Sequence, residues 1–312
     1  MKGKTAFLFP GQGSQYVGMG KEFLQRVSGA RELFDTARRV TDVPVMELCL
    51  EGPMSELTKT SNLQVCLAAV DILCCMAARQ KGLDAQAVAG HSLGEYPALW
   101  AAGVLSTETC FSLVRERGRL MAEAADTNPG GMAAIIGLGR QELEGLVEQA
   151  SAPGKVLALA NHNSRQQIVV TGHLEQVQEL CKLVKEKGKR AILLKVSGAY
   201  HSPLMEGAAE KFASFLAESE FRPPAIPVYS NVSARPETDP VRLRELMARQ
   251  MVSPVRWFET VNNMYSDGIR TFIELGPKKV LANLGRNCVD AEDVVFASVE
   301  TPKDLEEIKP EA

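Results

Sequence analysis

Long apolar runs, a basic excess and an export signal are all missing from this sequence of 312 residues. No run of about 18 or more apolar residues occurs, so no membrane-spanning helix is expected. The formal net charge is -3 at pH 7, which leaves no excess of cations for a phosphate backbone and argues against nucleic-acid binding. The first residues lead directly into a strand-like stretch rather than into a signal peptide. We therefore expect a cytoplasmic protein.

Metal-ligand patterns are also missing. The chain has 4 histidines and 7 cysteines, and neither set shows zinc-ligand spacing. No C-x-x-C pair occurs, and most of the cysteines lie in apolar helical stretches. The sequence therefore predicts no metal site, and it predicts cysteines that are reduced core residues.

The composition is that of an ordinary globular chain, with 45% hydrophobic and 23% charged residues. Its length fits one large domain, alone or with a smaller domain inserted into it. Strands and helices alternate along most of the chain, which predicts an α/β fold with a parallel sheet. The predicted strands of this sheet are Thr5–Phe9, Ala87–Gly90, Val228–Asn231, Thr271–Leu275 and Val294–Ala297. The charged tail, Pro302–Ala312, is expected to be frayed.

The middle of the chain has a different pattern. From Met132 to Val196 the elements are predicted in the order strand, helix, strand, strand, helix, strand, which is the order of a ferredoxin-like subdomain. Asn128-Pro129-Gly130-Gly131 is a plausible hinge at its entry. We therefore predict a large domain made of residues 1–128 and 198–312, and an inserted ferredoxin-like subdomain of residues 129–197.

The segment Gly90-His91-Ser92-Leu93-Gly94 stands out, because it matches the G-x-S-x-G nucleophile elbow. It follows a short apolar strand and precedes an amphipathic helical run, Tyr96–Ala102, which is the context that such an elbow requires. Glycines flank the serine because the turn is tight and the backbone packs closely. The segment predicts Ser92 as a nucleophile in an α/β-hydrolase-like domain.

A nucleophilic serine needs a base, and histidine is the usual one. His91 is adjacent to Ser92, but neighbouring residues on such a turn point apart. His162 and His173 lie in the predicted insertion, so elimination leaves His201. The glycine-rich loop Pro10–Gln15 lacks the lysine of a P-loop, and its backbone N–H groups are candidates for binding an oxyanion.

Several segments together resemble malonyl-CoA:acyl-carrier-protein transacylases, in order and with similar spacing from residue 5 to about residue 287. The matching segments are Phe9-Pro10-Gly11-Gln12-Gly13-Ser14-Gln15, Gly90-His91-Ser92-Leu93-Gly94-Glu95, Arg117, Asn161-His162-Asn163, His201-Ser202-Pro203-Leu204-Met205, Gln250 and Pro254-Val255-Arg256-Trp257. The set is specific, although each segment alone is not.

The resemblance implies a ping-pong transfer of a malonyl group through an acyl-serine, with no bound cofactor. In this scheme Ser92 attacks malonyl-CoA, His201 takes its proton, and a backbone carbonyl near Gln250 orients the histidine. The other implied roles are an oxyanion hole formed by the N–H groups of Gln12 and Leu93, carboxylate binding by Arg117, and a site shaped by Gln250, Asn163, His91 and Tyr200. The phosphopantetheine thiol of an acyl carrier protein then accepts the malonyl group, for fatty-acid or polyketide synthesis. We expect a monomer.

Departures from the family pattern leave the pathway open. Tyr200 precedes the histidine, where an aromatic side chain crowds out an α-methyl branch. Val65, Arg165 and Lys278 replace residues common in the family. An acyl-carrier-protein hydrolase on the same fold is an alternative, although such relatives typically lack the carboxylate-binding arginine. Two further alternatives are a malonate decarboxylase subunit and a non-catalytic docking protein.

An acidic carrier protein needs a basic patch on its partner. Candidates for this patch are Lys182, Lys185, Lys189 and Arg190. The simpler explanation is that each is an ordinary solvated charge on the surface.

Overall fold

The computed structural model describes residues 3–308, and within them a six-stranded sheet forms the centre of the fold, with the strand order β10-β9-β1-β2-β7-β8. Its strands are β1 (Lys4–Phe9), β2 (Ala87–Gly90), β7 (Val228–Tyr229), β8 (Pro236–Glu237), β9 (Ile269–Leu275) and β10 (Val295–Val299). All neighbours are parallel except β7 and β8. The predicted parallel α/β sheet is confirmed.

Helices cover this sheet and connect its strands. They are α1 (Lys21–Leu24), α2 (Ala30–Thr41), α3 (Val45–Leu50), α4 (Met54–Leu57), α5 (Thr60–Gln80), α6 (Glu95–Ala101), α7 (Thr107–Thr127), α8 (Arg140–Ala150), α9 (Leu174–Glu186), α10 (Glu206–Ala217), α11 (Pro240–Arg249), α12 (Trp257–Ser266), α13 (Val280–Gly285) and α14 (Pro302–Glu307). By length and composition α5 could cross a membrane, but most of it is buried inside the fold. Its apolar character is that of a core helix.

A second sheet of four antiparallel strands lies in the middle of the chain, in the order β4-β5-β3-β6. Its strands are β3 (Gly131–Ile136), β4 (Leu157–Ser164), β5 (Gln167–Gly172) and β6 (Arg190–Leu193). With α8 and α9, the structure has the predicted order of elements in this region. One face of the sheet packs on these two helices, and the other contributes Met132 and Val169 to the main hydrophobic core.

Backbone hydrogen bonds also join the two parts of the fold. The Val255 N–H donates to the Ala160 carbonyl at 2.8 Å, and the His162 N–H donates to the Val255 carbonyl at 2.9 Å. Strand β4 is therefore held against the segment that precedes α12.

The prediction of a frayed tail is wrong for residues 302–307, which form α14. Thr301 and Asp304 make a reciprocal capping box, and a proline occupies the first turn, both of which stabilise a helix start. The last residues of the predicted tail, 309–312, lie outside the described residues. Strand β6 also ends earlier than predicted, at Leu193 instead of Val196.

Candidate active site

The strand–turn–helix around Ser92 is a strained elbow. Ser92 has a φ of 53°, a left-handed conformation that costs a non-glycine residue about 1–3 kcal/mol. A Cβ at Gly90 would lie 1.9 Å from the Gly94 carbonyl oxygen, and a Cβ at Gly94 would lie 2.0 Å from that of Phe9. Both positions therefore need glycine for close packing. Helix α6 begins at Glu95, so its N-terminal dipole lies beside the serine.

Ser92 and His201 form a hydrogen-bonded pair, with 2.8 Å between the serine Oγ and the histidine Nε2. The histidine Nδ1 lies 3.0 Å from the backbone carbonyls of both Gln250 and Ser253. Because carbonyls only accept, Nδ1 carries the proton and Nε2 is free to accept one. Burial, with the nearby cation of Arg117 as the next cause, lowers the pKa of His201 to about 3. The imidazole is therefore neutral at pH 7 and can act as a base.

Arg117 is a buried cation on α7 whose guanidinium reaches the same serine. Its Nη2 donates to the Ser92 Oγ at 3.1 Å and to the Gln250 Oε1 at 3.0 Å, and its Nη1 donates to the Gln64 Oε1 at 2.9 Å. The guanidinium carbon lies 5.6 Å from the ring centroid of Tyr96. Burial lowers its pKa, yet an arginine stays charged in proteins. No carboxylate is paired with it among residues 3–308.

The neighbouring arginines on α7 do not reach the site. The half-buried Arg115 donates to the Ser61 carbonyl, and the exposed Arg119 pairs with Glu116 and Glu123. Alternate positions on a helix point to different faces, so one of the three arginines reaches the serine.

Glu95 is a buried carboxylate that holds the elbow from behind, and the sequence assigned no role to it. One oxygen accepts from the Gln250 Nε2 at 2.6 Å, and the other accepts from the Asn231 backbone N–H at 3.0 Å. The Asn231 side chain in turn accepts from the Ser92 N–H at 2.7 Å and donates to the Gly90 carbonyl at 2.6 Å. Burial raises the pKa of Glu95 to about 7.

A narrow cleft of about 100 Å³ opens onto Ser92. Of the predicted site residues, those that line it are Gln12, His91, Ser92, Leu93, Arg117, Tyr200 and His201. The backbone N–H of Gln12 has no acceptor among residues 3–308, as expected of a group that binds an oxyanion during the reaction. The cleft is smaller than the pockets that enclose drug-sized ligands, so it suits a short acyl group.

Two predicted site residues lie behind the cleft wall. The Gln250 side chain donates to the Ser92 carbonyl at 2.9 Å, besides its bonds to Glu95 and Arg117. The Asn163 Oδ1 accepts from the His91 Nε2–H at 2.8 Å, so Asn163 fixes the ring of His91 rather than facing the serine. Both residues therefore hold cleft-lining residues in place and do not line the cleft themselves.

Tyr200 is buried in the cleft wall. Its hydroxyl lies 3.0 Å from the Thr60 Oγ1 and 3.2 Å from the Ser197 Oγ. These two bonds fix the ring in the cleft wall, where the sequence predicted an aromatic side chain that crowds out an α-methyl branch.

Sequence reasoning missed the residues that orient this site from a distance, namely Glu95, Asn231, Gln64 and Ser253. Glu95 was part of a matched segment, but its position behind the elbow depends on strand β7 and the turn after α11. The predicted basic patch is only partly free. Lys182 pairs with Glu179 at 2.8 Å, whereas Lys189 and Arg190 have no carboxylate partner in the described part of the chain.

Comparison with known proteins agrees with this geometry. Residues 6–303 match the family model "Acyl transferase domain". A malonyl CoA-acyl carrier protein transacylase of Bacillus subtilis is 43% identical over 282 residues, covering 90% of this chain and 89% of that protein. The Staphylococcus aureus protein of the same name is 37% identical, with 97% of each chain covered.

Solved structures give the same result. An acyl carrier protein S-malonyltransferase from Vibrio cholerae superposes with a TM-score of 0.93 at 38% identity, covering 98% of this chain and 100% of that one. A malonyl-transacylase solved in complex with its type II polyketide synthase acyl-carrier protein has a TM-score of 0.93 at 35% identity, with 97% and 98% covered. The chain therefore belongs to the malonyl-CoA:acyl-carrier-protein transacylase family.

Proposed function

We propose that this protein transfers the malonyl group of malonyl-CoA to the phosphopantetheine thiol of an acyl carrier protein. One observation carries the proposal: Ser92, a neutral His201 and the buried Arg117 meet within hydrogen-bond distance in one small cleft. A nucleophile, a base and an unpaired cation in this arrangement suit an acyl group that ends in a carboxylate. The names of the relatives support the same reaction.

The first half-reaction acylates the serine. The Ser92 Oγ attacks the thioester carbon while its proton moves to the His201 Nε2. The N–H groups of Gln12 and Leu93 stabilise the oxyanion. The tetrahedral intermediate then expels coenzyme A, whose thiolate takes the proton from the histidine, and a malonyl-serine ester remains.

The second half-reaction reverses these steps on a different thiol. The carrier protein's phosphopantetheine thiol gives its proton to His201 and attacks the ester carbon. Ser92 leaves and recovers a proton from the histidine. The Nδ1 bonds to the Gln250 and Ser253 carbonyls hold the imidazole in one tautomer throughout, without an aspartate.

Arg117 supplies the selectivity. In the free protein its Nη groups donate to neutral acceptors on Gln64, Gln250 and Ser92. A malonyl carboxylate offers charged acceptors to the same planar fork, and charge-assisted bonds are about twice as strong as neutral ones. An acetyl group cannot make them, so the site favours a carboxylated substrate.

The domain organisation is part of the proposal. Residues 1–128 and 198–312 are assigned to an α/β-hydrolase-like acyltransferase domain, and residues 129–197 to an inserted ferredoxin-like subdomain. The strand order β4-β5-β3-β6, with every neighbour antiparallel, supports that assignment. We further propose a cytoplasmic monomer that uses no bound cofactor and serves fatty-acid or polyketide synthesis.

The test follows both products. The protein is mixed with malonyl-CoA and a phosphopantetheinylated carrier protein, and malonyl-carrier and free malonate are measured together. We expect malonyl-carrier to account for nearly all of the coenzyme A released. Release of malonate at the same rate with and without the carrier would assign a hydrolase instead. Transfer to a malonate decarboxylase carrier, with none to a fatty-acid or polyketide carrier, would assign the decarboxylase subunit.

A further inference from the structure

A partly buried carboxylate, that of Glu259 on α12, joins the large part of the fold to the small sheet. The Arg140 Nη1, from α8, donates to one oxygen of this carboxylate at 3.2 Å. The His162 Nδ1, from β4, lies 3.3 Å from the other oxygen, and the Arg256 Nε lies 3.8 Å from the first. One side chain of the large part therefore contacts two elements of the small part.

Glu259 is charged and shielded from water. Its side chain is 21% exposed, and that of His162 is 13% exposed. Burial raises the pKa of Glu259, but the contacts with His162 and Arg256 outweigh burial, so the pKa lies below its usual value. The carboxylate is therefore ionised at pH 7. A partly buried charge that loses a partner is costly, so these contacts hold α8 and β4 against α12.

His162 lies between two asparagines that shape the cleft. Asn161 lines the cleft, and Asn163 holds the ring of His91. The pairing of β4 with β5 shifts its register on both sides of His162, and irregularities of this kind change the direction of side chains. The position of these asparagines therefore depends on what β4 contacts on its other side, which is the segment around α12.

The first turn of α12 contacts the cleft as well. The ring centroid of Trp257 lies 5.6 Å from that of His91, the neighbour of Ser92. The ring of Phe258 lies against His162, with 4.8 Å between the centroids. One helical turn therefore touches both His91 and the strand that carries its hydrogen-bond partner.

We propose that Glu259 is a positioning residue that holds β4 against α12 and so keeps water away from the malonyl-serine. A transferase needs its ester to last until the carrier thiol arrives, and a cleft of about 100 Å³ leaves little room for water beside the acyl group. Without the charge of Glu259, Arg140 and His162 lose the partner that draws β4 inwards, and the cleft widens. This inference rests on the proposed function, since it assumes an acyl-serine.

The lifetime of the malonyl-serine tests the proposal. Each protein is loaded with malonyl-CoA and freed of the excess, and the adduct is followed by intact mass with and without carrier protein. Glu259→Gln removes the charge and keeps the shape, and His162→Phe keeps a ring against Phe258 and removes Nδ1. Glu144→Gln is the matched control, because Glu144 also pairs with Arg140, at 2.8 Å, but lies on the same helix.

We expect the malonyl-serine of Glu259→Gln to hydrolyse about 3- to 10-fold faster than that of the wild type, as the loss of one hydrogen bond implies. Transfer to the carrier should stay near the wild-type rate. His162→Phe and Arg140→Gln should shorten the lifetime in the same direction, and Arg140→Lys should restore most of it. The double variant Arg140→Gln/Glu259→Gln should be no worse than Glu259→Gln, because both changes remove the same contact. Glu144→Gln should match the wild type.

Other results overturn the proposal. A malonyl-serine in Glu259→Gln that lasts as long as the wild type's would refute it, and so would a faster hydrolysis in Glu144→Gln. An equal fall in loading and transfer, with a lower urea midpoint and an unchanged lifetime, would make Glu259 a structural residue only. Arg140→Gln, at an exposed position, gives the same test if Glu259→Gln does not fold. A wild type that forms no malonyl-serine would refute the proposed function and this inference together, whereas equal lifetimes in all variants would refute this inference alone.

Discussion

The chemistry depends on a few side chains whose roles follow from their hydrogen-bond partners. His201 is neutral because burial and a neighbouring cation disfavour its charged form. Arg117 stays charged in the same cleft, where it has neutral partners in the free protein. In the proposed reaction, the contrast between an uncharged base and a buried cation would let one site activate the serine and hold a carboxylate.

Replacing Arg117 by lysine should separate activation of the serine from binding of the carboxylate. Lysine keeps the charge but loses the planar fork, so we expect serine acylation by malonyl-CoA to fall by about 10- to 100-fold, the value of one charged hydrogen bond. Slow acylation by acetyl-CoA should change much less. Arg115→Lys is the control, because Arg115 lies on the same helix but bonds to the Ser61 carbonyl instead of the serine. Both variants are measured by intact mass against time. Equal losses for the two thioesters would contradict a carboxylate-binding role.

Protonation of Glu95 should cause kcat/KM to fall at acid pH. Its pKa is raised to about 7 by burial, so the carboxylate that accepts from both Gln250 and Asn231 is lost as the pH falls through 7. His201, with a pKa near 3, does not titrate in this range. We predict that kcat/KM for malonyl-CoA falls below about pH 7 in the wild type.

The variant Glu95→Gln tests whether Glu95 causes this fall of kcat/KM. A glutamine has one acceptor oxygen for two donors, so activity at pH 8 should drop by about 10- to 100-fold and become flat between pH 6 and 8. Glu108→Gln, at an exposed glutamate of α7, should keep the wild-type profile. If kcat/KM of Glu95→Gln still falls below about pH 7, the titrating group is another residue.

At the scale of elements, the elbow between β2 and α6 is fixed by backbone contacts. Strand β1, the turn after β2 and the start of α6 approach so closely that two glycines are required. The strain at Ser92 is maintained by Asn231 and Gln250, which bond to its N–H and its carbonyl. Ser92 is therefore held by elements far apart in the sequence.

Gly94→Ala should demonstrate this packing. The new Cβ would meet the Phe9 carbonyl, which belongs to β1 and cannot move aside, so we expect α6 to shift, activity to be lost and the free energy of unfolding to fall by about 1–3 kcal/mol. Gly145→Ala in α8 has no atom within 4 Å of the new Cβ and should stabilise by about 0.4–1 kcal/mol. Urea unfolding and acylation assays measure both. Full activity in Gly94→Ala would contradict the account of the elbow.

Local patterns predicted much of this architecture. The apolar runs of β3 and β5 and the glycine-flanked serine are local features, so they could be recognised in the sequence. The roles of Glu95 and Asn231 were not, because they depend on a contact across 136 positions. The capped helix α14 was also missed, since its charged sequence resembles an exposed tail until Thr301 and Asp304 are seen to bond. Helices α1, α3 and α4 have 4 to 6 residues and are too short to show a periodic run. The periodic run of α2 was overlooked.

At the scale of the whole molecule, the two sheets share one core. Ala134 and Val169 of the small sheet belong to the same hydrophobic cluster as Phe9 and Val88 of the large one. Backbone bonds between β4 and Val255 strengthen this junction. The cleft at Ser92 is lined by residues of both parts of the fold, so its shape depends on both.

This shared core predicts one unfolding transition. Both tryptophans, Trp100 and Trp257, lie outside the small sheet, so their fluorescence reports on the large part of the fold. Far-UV circular dichroism reports on both parts. We expect the two signals to give the same urea midpoint, as for a two-state protein. A second transition, seen by circular dichroism alone, would show that residues 129–197 unfold separately.

The central claim is that Ser92 carries the malonyl group between the two thiols. The most direct measurement is intact-protein mass spectrometry within seconds of mixing with malonyl-CoA, followed by addition of the carrier protein. The account predicts one malonyl adduct, absent in Ser92→Ala, that disappears as malonyl-carrier forms. A folded wild-type protein that forms no adduct, or an adduct that persists in Ser92→Ala, would contradict it.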